Sequence, residues 1–275
     1  MNLVTGASGM LGSYFQGPEW RKTDLDTLDI TNAGQVRKFI KDLSPAWVYH
    51  LAAATDVDYC EKDPDFAFRV NAMGTQNVAL ACQENDIPLV YISTAGVFGG
   101  DKPEPYTEFD EPRPVNVYGQ AKLAGERIVQ ALLKKYFIVR AGWMIGGSKE
   151  KDKKFVGKML ALFKEKTKVS VVNDKFGSPT YAKDLAAFLS RLAATRAYGL
   201  YHYANHGVCS RYDVARELAR LTNAKVEIAP VSSAAFPLPA PRARSEAMRN
   251  YKLELMGADD ARPWQEALKA YMSEW

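Results

Sequence analysis

The chain has 275 residues, of which 47% are hydrophobic and 25% are charged, and this composition excludes a disordered, collagenous or coiled-coil protein. Its 36 Lys and Arg residues exceed its 32 Asp and Glu residues by four, too small an excess to argue for a nucleic-acid partner. It has no apolar run of the ~18 residues that a membrane span needs, and three cysteines argue against a disulfide framework. We therefore expect a cytoplasmic protein in a reducing compartment.

Buried strands and amphipathic helices alternate over the first 145 or so residues. In chain order, the predicted elements are a strand at 2–5, a helix at 33–43, a strand at 46–51, a helix at 65–84, a strand at 89–93, a helix at 117–135 and a strand at 137–141. This alternation is typical of βαβ units, and near-continuous apolar strands are typical of parallel sheets. The fold class is therefore predicted to be α/β, with a doubly wound, Rossmann-like parallel sheet.

The pattern becomes less regular after about residue 146. The predicted elements there are a charged loop at 148–154, a helix beginning near Phe155, a strand at 169–172, a helix at 210–221 capped by Ser210 and Asp213, and a proline-rich extended loop at 237–245. We expect residues 1–147 and 178–204 to form a dinucleotide-binding domain. Residues 148–177 and 205–275 are expected to form a smaller C-terminal α+β substrate-binding domain.

Three glycines, Gly6, Gly9 and Gly12, follow the first strand in the segment TGASGMLG. Glycine permits a tight turn and the close approach of a pyrophosphate, and a helix that begins there presents free N–H groups to phosphates. The spacing G-x-x-G-x-x-G differs from that of ordinary dehydrogenases, and glycines also collect at strand-to-helix turns without a ligand. The position directly between a strand and a helix favours a dinucleotide site.

Asp24 is predicted to end the second strand, where a carboxylate can bind a ribose 2′-hydroxyl and repel a 2′-phosphate. It therefore favours NADH over NADPH, although Arg21 and Lys22 lie close by and a surface acid is the alternative. The other expected cofactor contacts are Asp29 and Ile30 beside the adenine and, after the strand that we count as the fourth, Ala52, Ala53 and Ala54.

Tyr118 and Lys122 are four residues apart, so they share one face of the predicted helix. A nearby ammonium lowers the pKa of a tyrosine by stabilising its phenolate, so the pair can protonate a carbonyl oxygen while a hydride reaches the carbon. Thr94, at the end of the strand VYIST, offers a hydroxyl to the same oxygen. A chance pair on a surface helix is the alternative, but the order of all these motifs favours a catalytic site.

With these motifs, the sequence resembles the extended short-chain dehydrogenase/reductase superfamily and, within it, the dTDP-4-dehydrorhamnose reductases. The resemblance covers almost the full length and is most specific in VNVYGQAKLAGE and GSPTYAKDLA. It implies that Tyr118 is the proton donor, that Lys122 is its partner and a cofactor ligand, and that Thr94 donates a hydrogen bond to the carbonyl. The other contacts it implies are a sugar contact from Trp143, whose flat face would carry the deoxysugar, and cofactor contacts from Gly9, Met10, Leu11, Asp24, Asp29, Ile30 and Ala52 to Ala54.

Two departures from the family pattern fall at expected substrate contacts. Ala95 and Gly96 stand where the family usually has Asp-Tyr, at a position that faces substrate in the family. Arg242, Ala243 and Arg244 stand where the family usually has Arg-Pro, so the nucleotide end could be held differently. Ala95 and Arg242 are accordingly expected substrate contacts in this chain.

The expected function is the reduction, by NADH or NADPH, of a nucleotide-linked 4-keto-6-deoxy sugar, as in dTDP-L-rhamnose biosynthesis. One alternative is a reductase or epimerase of another nucleotide sugar, since STAGVFG also looks like the equivalent turn of sugar-nucleotide epimerases. The other is a non-catalytic subunit of the same fold, resembling the regulatory β subunit of methionine adenosyltransferase. Apart from the nucleotide sugar, we expect no nucleic-acid or membrane partner, and we expect a homodimer.

The chain has three histidines, and the sequence predicts no catalytic or metal-binding role for them. His202 and His206, with Cys209, have a spacing that could suggest a metal site, but no fourth ligand is near and we expect no metal. His50 lies in an apolar run and is expected to be a hydrogen-bonded residue at the end of a strand.

Overall fold

A six-stranded parallel sheet forms the centre of the computed structural model, which describes residues 1–152 and 154–275. The strands are β1 (Asn2–Thr5), β2 (Trp20–Thr23), β3 (Val48–His50), β4 (Leu89–Thr94), β5 (Tyr136–Ala141), β6 (Trp143–Ile145), β7 (Lys168–Val172), β8 (Phe176–Gly177), β9 (Pro179–Tyr181), β10 (Gly199–Tyr203), β11 (Cys209–Ser210), β12 (Glu227–Val231) and β13 (Ser245–Glu246). The helices are α1 (Ala33–Leu43), α2 (Val57–Lys62), α3 (Pro64–Phe68), α4 (Gly74–Glu84), α5 (Val117–Leu132), α6 (Ser148–Lys151), α7 (Phe155–Glu165), α8 (Ala182–Thr195), α9 (Arg211–Thr222), α10 (Tyr251–Leu255) and α11 (Trp264–Met272).

The strand order of the central sheet is β10-β5-β4-β3-β1-β2, and all its neighbouring strands are parallel. The predicted doubly wound sheet is therefore confirmed. The chain proceeds outward from β1 in one direction to β2 and in the other to β3, so the order reverses between β1 and β3. Ligands of open α/β sheets bind beyond the carboxyl ends of the strands at such a reversal.

Several predicted elements differ in detail from those observed. The helix expected over 65–84 is present and begins at Pro64, but the short helix α2 comes before it and ends there, because Pro64 cannot donate the backbone hydrogen bond that would continue α2. Asp63 instead begins α3 by accepting a hydrogen bond from the Phe66 N–H, and a π-helical turn at 69–73 leads into α4. Residues 52–54 follow β3, so they come after the third strand rather than the fourth.

The region after residue 146 also shows one correction and one confirmation. Residues 148–151 form the short helix α6 where a loop was expected, and Lys153 of the expected loop lies outside the described residues. The predicted cap of α9 is confirmed, since the Ser210 hydroxyl accepts from the Asp213 N–H and the Asp213 carboxylate accepts from the Ser210 N–H.

Hydrophobic clusters cover both faces of the central sheet. Val4 and Phe137 belong to the cluster on one face, and Ile138 to the cluster on the other. A third cluster, which includes Val156 and Trp264, joins α7, α9 and α11. This separate core is compatible with the expected two-domain division, which stays a prediction. In the described part of the chain, no helix has the length and apolar character that crossing a bilayer requires.

Candidate active site

A cleft of about 1440 Å³ opens beyond the carboxyl ends of β1, β3 and β4, where the strand order reverses. Single-ligand pockets have volumes of roughly 300–1,000 Å³, so this cleft has room for two ligands side by side. The predicted site residues that line it are Gly6, Gly9, Met10, Leu11, Gly12, Asp24, Asp29, Ile30, Ala52, Ala53, Ala54, Thr94, Tyr118, Lys122, Trp143 and Arg242.

The glycine turn lies against the backbone that follows β3. Gly6 has a φ of +70°, and a Cβ there would lie 2.7 Å from the Ala52 backbone nitrogen, so both conformation and space require glycine. A single 3-10 turn from Gly12 to Tyr14 follows, where a short helix was expected to begin. The N–H groups of Met10 and Leu11 donate to no described residue. These two free donors at the cleft fit a pyrophosphate.

Asp24 follows β2 at the edge of the cleft, as predicted, and its side chain also binds the backbone of the glycine turn. Its two carboxylate oxygens accept hydrogen bonds from the Ser8 N–H at 3.0 Å each, and one of them accepts from the Ser8 hydroxyl at 2.8 Å. The carboxylate therefore fastens the glycine turn to the end of β2. Sequence reasoning did not find the Ser8 contact, because the two residues meet only when β1 and β2 pair.

Thr94 and Tyr118 meet at the centre of the cleft. The helix α5 begins at Asn116, whose side chain accepts a hydrogen bond from the Gly119 N–H, and this places Tyr118 in its first turn. Burial raises the pKa of Tyr118 to about 12, while a hydrogen bond with Thr94 acts in the lowering direction. The net shift is therefore opposite to the lowering expected from Lys122, because the cost of desolvating the phenolate dominates. The phenol is consequently protonated at neutral pH.

Lys122 is 3% exposed and has no hydrogen bond or ion pair with any described residue. Its Nζ lies 4.1 Å from the centre of the Tyr91 ring. Burial lowers the pKa of Lys122 to about 7, and the Glu126 carboxylate acts against this shift. An unpaired ammonium at the wall of the cleft fits the hydroxyl groups of a cofactor ribose, which would supply the acceptors it lacks.

The opposite end of the cleft contains Trp143, whose indole N–H donates to Glu246 at 2.9 Å. The Arg211 guanidinium carbon lies 3.8 Å from the centre of the indole ring. A Cβ at Gly177 would lie 2.4 Å from the same indole, so backbone also packs closely against it. The open, flat face expected for a sugar is thus partly occupied, although Trp143 still lines the cleft.

Arg211 is the main residue that sequence reasoning missed. It lines the cleft and makes no hydrogen bond or ion pair with a described residue, although it lies beside two aromatic rings. Lys154 lines the same end of the cleft. The sequence had placed it in a charged loop that was expected to face only solvent. The capping box marks the start of α9, but no sequence spacing connects Arg211 with Trp143, which lies far earlier in the chain.

The structure differs from the expectation at two predicted substrate contacts, Ala95 and Arg242. Ala95 is buried in a cluster with Val97 and Phe98 and does not line the cleft, because the 3-10 turn after β4 directs it into the core. The neighbouring Gly96 lines the cleft instead. Arg242 does line the cleft, but its guanidinium donates to the Asp58 carboxylate at 3.0 Å and to the Ala240 carbonyl at 2.8 Å.

The histidines do not assemble a metal site. His202 is buried and its pKa is lowered to about 3 by burial, whereas His206 is half-exposed and contacts the Asp259 carboxylate. Among the residues that the structure describes, no three His, Cys, Asp or Glu side chains are grouped to hold a metal. His50 contacts the hydroxyls of Thr5 and Thr75 at 2.8 and 3.2 Å, as expected for a hydrogen-bonded residue of a strand.

The comparisons with known proteins agree with this geometry. The family model described as the RmlD substrate binding domain matches residues 1–275. A dTDP-4-dehydrorhamnose reductase of Mycobacterium tuberculosis strain H37Rv is 38% identical over 278 residues, which cover 97% of this chain and 90% of that protein.

Two solved structures are similar over nearly their whole length. The dTDP-4-dehydrorhamnose reductase of Clostridium acetobutylicum is 41% identical with a TM-score of 0.95, over 99% of this chain and 98% of that one. The dTDP-4-dehydrorhamnose reductase of Bacillus anthracis, solved in complex with NADP, is 40% identical with a TM-score of 0.95, over 100% of this chain and 99% of that one. The chain therefore belongs to the RmlD substrate-binding domain family, the family of the dTDP-4-dehydrorhamnose reductases within the extended short-chain dehydrogenase/reductase superfamily.

Proposed function

We propose that the protein uses NADH or NADPH to reduce the 4-keto group of a dTDP-linked 4-keto-6-deoxy sugar, with dTDP-4-dehydrorhamnose as the first candidate. The observation that carries the proposal is one cleft in which Thr94, a protonated Tyr118 and an unpaired Lys122 lie between the glycine turn and the Trp143 end. Family membership supports the substrate class, and the NADP-bound relative supports the cofactor class.

Each of the three central residues has a task in this reaction. The bound dinucleotide supplies a hydride to the sugar C4. Tyr118 gives its phenolic proton to the carbonyl oxygen, and its raised pKa ensures that the proton is present at neutral pH. The Thr94 oxygen accepts from the Gly96 N–H, and its own hydrogen, which meets Tyr118 in the free protein, would turn to the same carbonyl oxygen when substrate binds. Lys122 holds the cofactor ribose and stabilises the tyrosinate that remains after proton transfer.

The cofactor end is proposed to be formed by the glycine turn and the residues around it. The free N–H groups of Met10 and Leu11 would hold the pyrophosphate. Asp24 would accept from the ribose and repel a 2′-phosphate, so NADH is slightly favoured. The proposed adenine and ribose contacts are Asp29, Ile30, Ala52, Ala53 and Ala54, which line that end of the cleft.

The substrate end is proposed to hold the nucleotide sugar between Trp143 and a set of cationic side chains. Arg211 and Lys154 both line this end, and an anionic diphosphate would supply the hydrogen-bond acceptors that Arg211 lacks. Arg242 is already paired with Asp58, so we assign it a smaller share of the binding energy.

The test is an assay of NADH and NADPH oxidation with dTDP-4-dehydrorhamnose and a panel of other nucleotide 4-keto sugars. Tyr118→Phe is expected to lower kcat by about 10²–10⁴-fold with little change in NADH affinity, because it removes only the proton donor. Lys122→Met is expected to weaken both turnover and cofactor binding. Tyr59→Phe, at a half-exposed tyrosine outside the cleft lining, is the matched control.

Three outcomes would contradict the proposal. A Tyr118→Phe enzyme with wild-type turnover would refute the assigned proton donor. Interconversion of sugar nucleotides without net NAD(P)H oxidation would favour an epimerase. Tight NADH binding without turnover of any sugar nucleotide would favour the non-catalytic regulatory subunit.

The expected homodimer stays a prediction, and sedimentation velocity would measure the oligomeric state.

A further inference from the structure

An aromatic ring lies directly beneath the unpaired ammonium of Lys122. Tyr91, in the middle of β4, is fully buried, and the centre of its ring lies 4.1 Å from the Lys122 Nζ. The Tyr91 hydroxyl donates to the backbone carbonyl of Lys122 at 3.3 Å. The same tyrosine thus contacts both the backbone and the charged end of Lys122.

The surrounding residues are shaped to accept this ring. A Cβ at Gly125 would lie only 2.3 Å from the Tyr91 hydroxyl oxygen, so the absence of a side chain there lets the tyrosine reach beneath α5. The His50 ring stacks near Tyr91, with 5.8 Å between ring centres and 25° between planes. Burial raises the pKa of Tyr91 well above its ordinary value, so Tyr91 is neutral and acts on the ammonium through its ring face.

The other ionisable groups near Lys122 are neutral or already paired. Glu126, one turn later on α5, accepts two hydrogen bonds from Arg140 of β5 at 2.9 and 2.7 Å. The pKa of His50 on β3 is lowered to about 3, so its ring is uncharged at neutral pH. Tyr118 on α5 is protonated. Burial opposes the charge of Lys122, the Glu126 carboxylate favours it, and the Tyr91 ring lies in contact with it.

We propose that Tyr91 is a positioning residue whose ring face keeps the Lys122 ammonium charged and directed into the cleft. Its relevance to catalysis rests on the proposed function, in which Lys122 holds the cofactor ribose. Removal of the ring face is expected to lower the Lys122 pKa by about 1.5 units, which corresponds to about 2 kcal/mol for a desolvated cation–π contact.

The direct test is an NMR titration of protein labelled at the lysine side chains, with Lys122→Met used to assign the Lys122 signal. Tyr91→Phe retains the ring and is expected to retain the wild-type pKa of Lys122. Tyr91→Leu and Tyr91→Met remove the ring and are expected to lower that pKa, and the second variant serves if the first does not fold. Leu89→Ala, at a fully buried position of the same strand, controls for lost packing because it should reduce stability without moving the Lys122 pKa.

The pH dependence of kcat/KM supplies the catalytic readout. Charged Lys122 is the active form, so activity should fall as the pH rises through its pKa, and this alkaline limb should move to lower pH in Tyr91→Leu but not in Tyr91→Phe. Equal Lys122 pKa values in the wild type and Tyr91→Leu would overturn the inference, as would an equal fall in Tyr91→Phe and Tyr91→Leu. Because the titration requires no turnover, it decides the role of Tyr91 even if the wild type reduces no sugar nucleotide.

Discussion

Arg211 offers the sharpest test of how the substrate end of the cleft works. Its guanidinium lies 3.8 Å from the centre of the Trp143 ring, lines the cleft and has no hydrogen-bond or ion-pair partner among the described residues. A cation in this state is a ready site for an anion, because a ligand oxygen would replace the water that burial has removed. Arg211→Ala removes this cation and the contact that covers the indole.

The size of the effect follows from the interactions that are lost. A hydrogen bond to a charged group contributes about 1.5–3 kcal/mol, so the loss of one such bond to a diphosphate raises KM for the nucleotide sugar by about 10–150-fold. The glycine turn and Lys122 are untouched, so the NADH dissociation constant should stay at its wild-type value. Arg211→Lys retains the charge but loses the planar fork, and its KM is expected to lie between those of the wild type and Arg211→Ala.

The assay measures KM from initial rates of NADH oxidation and the NADH dissociation constant from fluorescence titration. Arg216→Ala is the matched control, since Arg216 is an exposed arginine on the same helix, stacked on Tyr212. An unchanged KM in Arg211→Ala would refute the assignment of a diphosphate contact. Parallel losses of sugar and NADH affinity would show that the substitution disturbs the whole cleft.

Three further predictions concern the cofactor, the buried ion pair and acid stability. Asp24→Ala should narrow the difference between NADH and NADPH affinity, because the carboxylate that repels a 2′-phosphate is lost. It should also weaken the binding of both cofactors, because it frees the glycine turn from β2. A wild type that binds NADPH at least about tenfold tighter than NADH in fluorescence titration would contradict the NADH preference. Arg140→Met should lower the free energy of unfolding in urea by about 3–5 kcal/mol, since it leaves the Glu126 carboxylate buried and uncompensated, and a loss below about 1 kcal/mol would contradict this. Burial lowers the pKa values of His50 and His202 to about 3, so the unfolded chain binds more protons between that pH and about 6.5, and stability should fall as the pH falls. From pH 6.5 to pH 5 the expected loss is about 1.7 kcal/mol for each histidine, and equal unfolding free energies at those two pH values would show that the buried histidines do not contribute.

The fold could be predicted from sequence because each βαβ unit has a local pattern. Buried parallel strands are apolar throughout, and helices end at prolines or begin at capping residues such as Ser210. The prediction was weakest for short elements, as at α2, a six-residue helix that ends before Pro64 and that the sequence pattern did not indicate. The third strand was miscounted as the fourth because the segment between Asp24 and α1 contains no strand.

The candidate site was predictable as far as its residues follow a strand or share a helix face. Tyr118 and Lys122 lie on one face because of their spacing, and Thr94 ends a strand whose carboxyl end must face the cleft. Ala95 was assigned wrongly, because the direction of a side chain in a 3-10 turn depends on the packing of that turn and not on its sequence position.

The sequence by itself therefore determined the parallel sheet, the glycine turn and the identity of the central side chains, since these depend on contacts within a few residues. The tertiary structure alone decided their electrostatic state. Tyr118 has a raised pKa and Lys122 a lowered one because distant strands and helices exclude water from them. It also decided the partnerships of Tyr91 with Lys122 and of Arg211 with Trp143, because desolvation and long-range contact are properties of the packed chain that no local spacing encodes.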